Sequence, residues 1–440
     1  MTGTQSVLRP ASLLRGASAL GFALAAIYAC LALLGSPARA RTVTRTGRAV
    51  DAGHVQLSIE STGYLQIAEL GVTRAELLWR DGRRGWYDSR LGDRDRYPLA
   101  TIWDATPLFE ALSAVELAAP SPARRAALAA FARGAERYYD ATLRPTAGYA
   151  PYPDDRGQAR VWFDDNGWWG LAFLDAYRAT GATRYLRDAG RAFAFIAAEG
   201  WNVKGGGLWW NTSHPYLAGE PLAAASLLGA QLYKLTGKSS YREQVVKFLA
   251  WADTGFTTER HLYKRTSFDP TPTPYIEGTL VEAHQVLCET GTRAACTRAA
   301  QLADACMERF ADRLNMGPQF DTIYLHWMLV YGEQSGDTRW RALAEQMASS
   351  ARTRALAQRG LYLRAWDGTP MSSHQAGPNM LQSDAATLEL FAWLGAPPQA
   401  LVAEAPARIA SRARAAMKAS TTSASNWVPA PWRSSAIAAS

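Results

Sequence analysis

The sequence of 440 residues predicts an all-α fold, an (α/α)6 toroid in which six inner helices are surrounded by six outer ones. The first reason is that apolar residues recur at three- and four-residue spacing in about twelve segments, which is the period of an amphipathic helix. The second is that these segments form pairs joined by short turns rich in Gly, Ser and Thr, residues that end one helix and cap the next. The pairs recur roughly every fifty residues, whereas tetratricopeptide arrays repeat about every 34.

Taken in chain order, the periodicity predicts helices over 56–79, 104–118, 121–141, 166–180, 183–199, 220–236, 239–253, 276–290, 293–311, 322–335, 338–354 and 379–395. The short turns lie at 119–122, 180–183, 236–239, 290–293 and 335–338. Residues 54–59 alternate in the manner of a strand, but we interpret them as the beginning of the first helix.

The connections between these helices alternate in length. The short turns belong to one face of the predicted toroid, and longer segments rich in Gly, Pro and aromatic residues precede the helices at about 104, 166, 220, 276, 322 and 379. Long loops gathered on one face of a rigid scaffold are where binding sites usually lie. We therefore expect the functional site on the long-loop face.

The first 40 residues have the order of a secretory signal. Arg9 and Arg15 precede an apolar stretch over 17–34, and Ala38 and Ala40 form an Ala-x-Ala exit. We expect cleavage after Ala40 and export to the periplasm or the exterior; an uncleaved signal that anchors the chain in a membrane is the alternative. The expected organisation is a signal over 1–40, the toroid as catalytic domain over 41–400, and a basic tail rich in Ala and Ser over 401–440 that is partly helical.

Charge and metal-ligand spacing exclude several classes of protein. The formal net charge is +8, but much of the basic excess lies in the C-terminal segment. A nucleic-acid-binding surface is therefore a poor interpretation, and contact with an anionic envelope surface stays open. No His/Cys cluster has metal-ligand spacing, and we predict neither a metal nor a cofactor. Cys288 and Cys296 flank a helical turn, where an exported protein can form a disulfide.

Two adjacent carboxyl groups, Asp164 and Asp165, lie in the aromatic run 161–169 just where an amphipathic helix begins. Glycosidic bond cleavage uses one ionised and one protonated carboxyl group, and aromatic rings provide flat apolar surfaces for sugar faces. The alternative is structural, because Asp is a frequent helix N-cap and Asp-Asn-Gly forms turns. The surrounding rings favour the chemical interpretation.

Residues 162–177 and the loop 205–211, Gly-Gly-Gly-Leu-Trp-Trp-Asn, resemble glycoside hydrolase family 76, the bacterial endo-α-1,6-mannanases related to fungal cell-wall transglycosidases. The first segment is similar to that family's helix with an aromatic-Asp-Asp-Asn-x-Trp pattern, and the second to its Gly-Gly-Gly-x-Trp-Trp loop. Weaker matches lie at 275–278 and 320–324, and the resemblance covers about 60–395.

This resemblance implies a retaining double displacement on an α-mannosidic bond, with an α-1,6 linkage expected. Asp164 would be the nucleophile and Asp165 the general acid and base. A helix N-terminus would favour the Asp164 anion, while a like charge and Trp rings would raise the pKa of Asp165. Residues in these motifs and at the heads of neighbouring inner helices are predicted to bind the polysaccharide: Trp103, Trp162, Trp168, Trp209, Trp210, His214, Tyr275, Glu277, Asp321 and Tyr324.

Other functions stay open at this point. A transglycosidase on the same scaffold would pass the glycosyl group to another sugar, and a catalytically silent glycan-binding protein would keep the aromatic cleft without needing the Asp pair. A sugar epimerase of this fold would favour histidine bases, for which His284, His326 and His374 are available. We expect a polysaccharide substrate, no nucleic-acid partner and a monomer.

Overall fold

Helical hairpins make up most of the chain in the computed structural model, which describes residues 52–92, 99–157, 160–258, 260–312, 314–369 and 379–403. The predicted signal over 1–40 and nearly all of the tail over 401–440 lie outside this part of the chain, so the domain boundaries stay predictions. Within the described residues, no helix has both the length and the apolar character needed to cross a bilayer.

Long helices follow one another in the predicted order. They are α1 (Ala52–Trp79), α2 (Ile102–Ala118), α3 (Pro122–Ala135), α4 (Phe163–Thr180), α5 (Thr183–Phe195), α6 (Gly219–Thr236), α7 (Ser239–Gly255), α8 (Pro274–Glu289), α9 (Arg293–Phe310), α10 (Pro318–Ser335), α11 (Arg339–Ser350) and α12 (Leu381–Gly395), with a short α13 (Pro398–Leu401) after them. Residues 54–59 begin α1, as interpreted from the sequence.

The even-numbered helices from α2 to α12 form a closed inner ring. Each packs on the next, and α12 packs on α2, which closes the circle. These helices are buried around nearly their whole circumference, whereas α3, α5, α7, α9 and α11 bury one face and form an outer layer. The predicted (α/α)6 toroid is confirmed, because only a closed ring buries six apolar helices on all sides.

The short turns lie where the sequence predicts them. Gly181, Gly237 and Gly336 end α4, α6 and α10 with φ of 70°, 71° and 77°, a left-handed conformation that glycine adopts without a Cβ penalty. The turn between α8 and α9 is bridged by a disulfide between Cys288 and Cys296. Each turn therefore reverses the chain within a few residues and keeps the two helices of a hairpin together.

Two strand pairs in the long loops have no counterpart in the sequence prediction. β1 (Arg80–Asp81) pairs antiparallel with β2 (Trp86–Tyr87), and β3 (Tyr139–Asp140) pairs antiparallel with β4 (Gly148–Tyr149). Strands of two residues are too short to show a period of two. One predicted long loop is also wrong, because α9 ends at Phe310 and α10 already begins at Pro318.

Three outer helices end before their predicted ends. α3 stops at Ala135, and a 3₁₀ turn leads from it into β3; α5 and α11 run into π-helical turns at Ile196–Gly200 and Ala351–Ala355. In each case the chain leaves the helix to enter a long loop, so the tertiary position of that loop decides the end.

Two glycines of α4 allow α6 to approach closely. A Cβ on Gly167 would lie 2.4 Å from Cβ of Ala224, and a Cβ on Gly170 would lie 2.4 Å from Cδ2 of Leu228. Real Cβ atoms do not approach so closely, so a side chain at position 167 would push the helices apart, and one at position 170 would displace the side chain of Leu228. The first turns of α4 and α6 are thereby held side by side.

Candidate active site

Every inner helix carries an acidic residue in its first turn. These residues are Asp104 in α2, Asp164 and Asp165 in α4, Glu220 in α6, Glu277 in α8, Asp321 in α10 and Asp384 in α12. The inner helices all begin on the long-loop face, so the carboxyl groups gather around one mouth of the toroid. Helix N-termini favour the charged form of such groups.

A cavity of about 400 Å³ opens among these first turns, a volume in the range of small-molecule sites. It contains both predicted catalytic aspartates and half of the predicted sugar-binding residues. The lining residues are Thr101, Trp103, Pro151, Tyr152, Trp162, Asp164, Asp165, Trp168, Trp210, Glu220, Arg265, Tyr275 and Phe320.

The aspartate pair does not cap its helix. α4 begins at Phe163 rather than at the predicted 166, its N-cap residue is Trp162, and no side chain makes the capping hydrogen bond. Asp164 and Asp165 lie within the first turn instead. The structural interpretation of the pair as an N-cap is therefore wrong, and the two carboxyl groups are available to the cavity.

Asn166, the residue after the pair, holds the preceding loop in place. Its Oδ1 accepts a hydrogen bond of 2.8 Å from the backbone N–H of Tyr149, and its Nδ2 donates to the backbone oxygens of Tyr149 and Trp162, both at 2.9 Å. Asn166 is fully buried. It thus fixes the start of α4 without lining the cavity.

Asp164 has one bonded oxygen and one without a partner. Nε1 of Trp210 donates to Oδ2 at 3.3 Å, while buried Oδ1 has no hydrogen-bond partner. Burial, and then the neighbouring charges of Asp165 and Glu220, raise the pKa of Asp164 well above its usual range. The Trp210 N–H acts in the opposite direction, because it stabilises the anion.

Asp165 lies next to Asp164 and also faces the cavity. Burial, with a contribution from the charge of Asp104, raises its pKa from 3.8 to about 7. The sequence led us to expect a raised pKa for Asp165 alone, but burial raises the pKa of both members of the pair. Close to neutral pH the pair holds a proton that isolated aspartates would have released.

The Gly-Gly-Gly loop places Trp210 against this pair. Gly206 and Gly207 have φ of 77° and 90° and lie against the ring of Trp251, where a Cβ would come within 2.3 and 2.6 Å of ring atoms. Beyond them, the backbone oxygen of Trp210 accepts from the N–H of Phe163 at 3.1 Å. The second and third glycines of the loop are therefore required by backbone conformation and by close packing, and the loop brings an indole N–H to Asp164.

Glu220, at the start of α6, is a site residue that sequence reasoning missed. Its Oε1 accepts from the hydroxyl of Tyr275 at 2.9 Å and from Nε of Arg265 at 3.4 Å, and its Oε2 has no partner. Its charge acts on Asp164. The signal was an acidic residue in the first turn of a predicted inner helix, the pattern that identified Asp164. Arg265 comes from the middle of a loop, and no sequence signal marks it.

Aromatic rings form two walls of the cavity. On one side Trp162 meets Trp210 with ring centroids 6.2 Å apart. On the other, Phe320 lies between Trp103 and Tyr275 at 5.4 and 4.9 Å. Apolar walls with carboxyl groups at their base are suited to a sugar ring, whose C–H faces stack on aromatic rings while its hydroxyls meet polar groups.

Five predicted sugar-binding residues do not line this cavity. Trp209 and His214 stack on each other at 5.2 Å in the loop before α6, away from the lining residues. Glu277 and Asp321 are buried and accept backbone N–H groups of Tyr263 and Gly317. Tyr324 is fully buried on α10 between Phe310 and Trp340. The motifs that contain these residues are near the site, but helix rotation and loop direction turn these side chains elsewhere.

The described histidines considered as epimerase bases lie outside the cavity. His284 is buried and pairs with the hydroxyl of Tyr263 at 2.9 Å. His326 is buried in the inner ring, stacked between Trp327 and Trp393 at 4.1 and 3.9 Å. His374 lies outside the described residues. Neither His284 nor His326 can therefore reach a sugar bound between the aromatic walls.

One group of described residues has metal-ligand atoms at short range. Glu110, His326 and Glu389, in the interior of the inner ring, each place such an atom within 4.8 Å of the others. Burial raises the pKa of Glu389 to about 8, and Glu110 and Glu389 share a hydrogen bond. A proton held between the two carboxyl groups accounts for this arrangement, since burial disfavours two charges side by side.

Solved structures share this fold. A family 76 glycoside hydrolase from a bovine Bacteroides thetaiotaomicron strain matches with a TM-score of 0.67 and 18% identity, over 76% of this chain and 78% of the other. The α-1,6-mannanase of Salegentibacter sp. matches with a TM-score of 0.61 and 15% identity, over 76% of this chain and 99% of the other. That structure is of an inactive variant in which two consecutive aspartates are changed to asparagine, and it contains α-1,6-mannotriose. A cellobiose 2-epimerase from Spirochaeta thermophila matches with a TM-score of 0.59 and 14% identity, over 78% of this chain and 99% of the other.

At these identities the likeness shows the fold alone, since both hydrolases and an epimerase share it. A comparison with curated proteins gives no match. The sequence model of glycosyl hydrolase family 76 matches residues 103–324, half of the chain, from the first turn of α2 to the first half of α10. The matched segment contains the aspartate pair, the triple-glycine loop and Glu220, and so the chain belongs to glycosyl hydrolase family 76 and is a glycoside hydrolase.

Proposed function

We propose that this glycoside hydrolase is a retaining endo-α-1,6-mannanase in which Asp164 is the nucleophile and Asp165 the general acid and base. The observation that carries the proposal is the aspartate pair at the base of the aromatic cavity, with one oxygen of Asp164 unpartnered and the pKa of Asp165 raised to about 7. In the Salegentibacter mannanase, a variant changed at two consecutive aspartates is inactive and binds α-1,6-mannotriose. That observation supports the same role and the same substrate for this pair.

The proposed first step uses the proton that the aspartate pair holds near neutral pH, which the mechanism assigns to Asp165 when the substrate is bound. At neutral pH Asp165 donates it to the glycosidic oxygen, while a carboxylate oxygen of Asp164 attacks the anomeric carbon, breaks its bond to the leaving group and forms a glycosyl-enzyme ester. The helix N-terminus and the N–H of Trp210 stabilise the Asp164 carboxylate before the attack. In the second step Asp165, now ionised, takes a proton from water, and the hydroxide displaces Asp164.

The experiment is hydrolysis of linear α-1,6-mannan by the purified chain, followed by NMR. Retention predicts that the α-anomer of the new reducing end appears first, and endo action predicts a mixture of oligosaccharides. Early appearance of the β-anomer would show inversion, and cleavage of another polysaccharide in a panel, but not of mannan, would overturn the substrate. Transfer products in the presence of added oligosaccharide would reveal a transglycosidase.

The proposal extends to export of the chain. The order of charged, apolar and small residues over 1–40 supports secretion with cleavage after Ala40. Mass spectrometry of the protein recovered from the culture medium or the periplasm should give an N-terminus at Arg41. Recovery of the intact chain in the membrane fraction would instead establish a signal anchor.

A further inference from the structure

A series of aromatic rings leads out of the cavity across the long-loop face. Trp162 contacts Trp210 at a centroid distance of 6.2 Å, Trp210 stacks on Tyr216 at 5.2 Å with an interplanar angle of 16°, and Tyr216 meets Phe268 edge to face at 5.0 Å. The first two rings line the cavity, and the last two lie beyond it. The series therefore continues the cavity wall outward.

Phe268, the outermost ring, is unusually exposed. The residue has 71% of its surface accessible, so its ring is not part of the packed core. Single exposed apolar residues are ordinary on protein surfaces and need no explanation. Phe268 is not isolated, because it contacts Tyr216, and Tyr216 stacks on Trp210. Trp210 lines the cavity and donates a hydrogen bond to Asp164.

The turn that carries Phe268 is held firmly. The N–H groups of Phe268 and Asp269 donate to Oγ1 of Thr266 at 3.3 and 2.9 Å, the N–H of Thr266 donates to the oxygen of Asp269 at 3.0 Å, and the N–H of Ser267 donates to the oxygen of Leu217 at 2.9 Å. The last bond joins the turn to the loop that contains Tyr216. The exposed position of Phe268 is thus built into the hydrogen bonding.

We infer that Phe268 and Tyr216 form a distal sugar-binding subsite that takes one hexose unit of a glycan chain extending from the cavity. A glycan is the occupant because the surface is continuous with the cavity of a glycoside hydrolase and ends in an exposed aromatic ring. The C–H face of the sugar stacks on the exposed ring. Arg265 and Asp269, both partly exposed at the rim, offer groups for its hydroxyls.

This inference rests on the proposed action on α-1,6-mannan, and it deepens that proposal by predicting dependence on chain length. A short oligosaccharide that occupies only the cavity should not sense Phe268. A longer chain reaches the subsite and should lose affinity when the ring is removed. Binding at such a remote position affects KM for long substrates and leaves the bond-breaking step unchanged.

The test compares Phe268→Ala, Phe268→Trp and the control Leu77→Ala, a residue 78% exposed on outer helix α1 and absent from the cavity lining. Kinetics are measured on α-1,6-mannobiose, mannotriose, mannohexaose and linear mannan. Phe268→Ala should lower kcat/KM for the hexaose and the polymer about three- to tenfold through KM and leave the shortest cleaved substrate unchanged. Phe268→Trp should retain the wild-type value, and Leu77→Ala should change nothing.

If Phe268→Ala lowers kcat/KM equally on substrates of every length, or on none of them, the subsite is overturned. Cleavage of mannan by the wild type would still support the proposed function in either case. A second arm uses Asp164→Asn with and without Phe268→Ala, and measures binding of the same ligands and a glycan panel by calorimetry. If wild type does not cleave mannan but Phe268→Ala weakens binding of another long glycan, the subsite stands and the proposed substrate fails. If no glycan binds, both fail.

Discussion

The carboxyl groups in the first turns of the inner helices include two classes, which differ in what they face and in their hydrogen-bond partners. Asp164, Asp165 and Glu220, in α4 and α6, face the cavity, and the partners of Asp164 and Glu220 are side chains. Glu277 and Asp384, in α8 and α12, are buried in the wall and accept the backbone N–H groups of Tyr263 and Tyr362 in the loops that precede those helices. The same position in the helix thus faces the cavity on one side of the ring and anchors a loop on the other.

The comparison shows why an acidic residue at a helix start is weak evidence of a site by itself. α8 and α10 do contribute to the cavity, but through Tyr275 and Phe320. Successive residues on a helix point about 100° apart. When one residue of the first turn faces the cavity, as Tyr275 and Phe320 do, a nearby residue of the same turn therefore points into the wall. What separates the two classes is the bonded partner: Glu277 and Asp384 accept a backbone N–H of a loop, whereas Asp164 and Glu220 accept from side chains that line the cavity.

The largest effect should come from the cavity carboxyl groups. Under the proposed mechanism, Asp164→Asn and Asp165→Asn should each lower kcat on α-1,6-mannan about 10³-fold, because one variant lacks the proposed nucleophile and the other the proposed proton donor. Circular dichroism should show an unchanged fold. Residual activity within tenfold of wild type in either variant would remove that residue from the mechanism.

An anchoring carboxyl should behave in the opposite way. Asp384→Ala leaves the buried N–H of Tyr362 without its acceptor at 2.9 Å, so the free energy of unfolding should fall by about 1 to 3 kcal/mol, as measured in denaturant. Its kcat under folding conditions should stay near wild type.

Asp384→Asn is the matched control, because the amide oxygen can still accept that bond and the stability loss should be smaller. A large loss of kcat in a stable Asp384→Asn protein would contradict the division into anchoring and cavity carboxyl groups.

Glu220 tests whether the side chain beside Asp164 sets its protonation. The charge of Glu220 raises the pKa of Asp164, so Glu220→Gln should lower that pKa and move the acidic limb of the kcat/KM profile to lower pH. The loss of a charged hydrogen-bond acceptor for Tyr275 and Arg265 should reduce kcat/KM at the optimum about tenfold. An acidic limb that stays in place would mean that Glu220 contacts substrate without tuning the nucleophile.

The last prediction concerns the stability of the fold, rather than activity, as a function of pH. The pKa of Asp165 is about 7 in the folded protein against 3.8 for a free aspartate, so between these values the folded state binds a proton that the unfolded state releases. Its contribution therefore lowers the free energy of unfolding as pH rises through this window. Asp165→Asn should therefore match the stability of wild type at pH 4 and exceed it at pH 8, as measured by denaturant unfolding at both pH values. Lower stability of the variant at pH 8 would show that the Asp165 carboxylate is stabilised in the fold.

Most of the helical pattern could be read from the sequence because amphipathic periodicity and glycine turns are local signals. The ends of α3, α5 and α11 could not, since they depend on where a loop leaves the helix. In the candidate site, Asp164, Asp165 and Trp210 were found through a dipeptide and a glycine-rich loop with strong local character. Glu277 and Asp321 had equally good sequence contexts, but the packing of α8 and α10 directs them into the wall.

The amino-acid sequence by itself determined the order of helices, the closed toroid and the family of glycoside hydrolases, because these follow from period, turn chemistry and contiguous motifs. Only the tertiary structure decided which first-turn carboxyl groups meet in one cavity. Gly167 and Gly170 bring α6 against α4, so Glu220 acts on Asp164, and the loop with Arg265 and Phe268 folds back beside them. These contacts join residues that are distant along the chain. They depend on how the helices are rotated and on where the loops close, and no local sequence pattern predicts either.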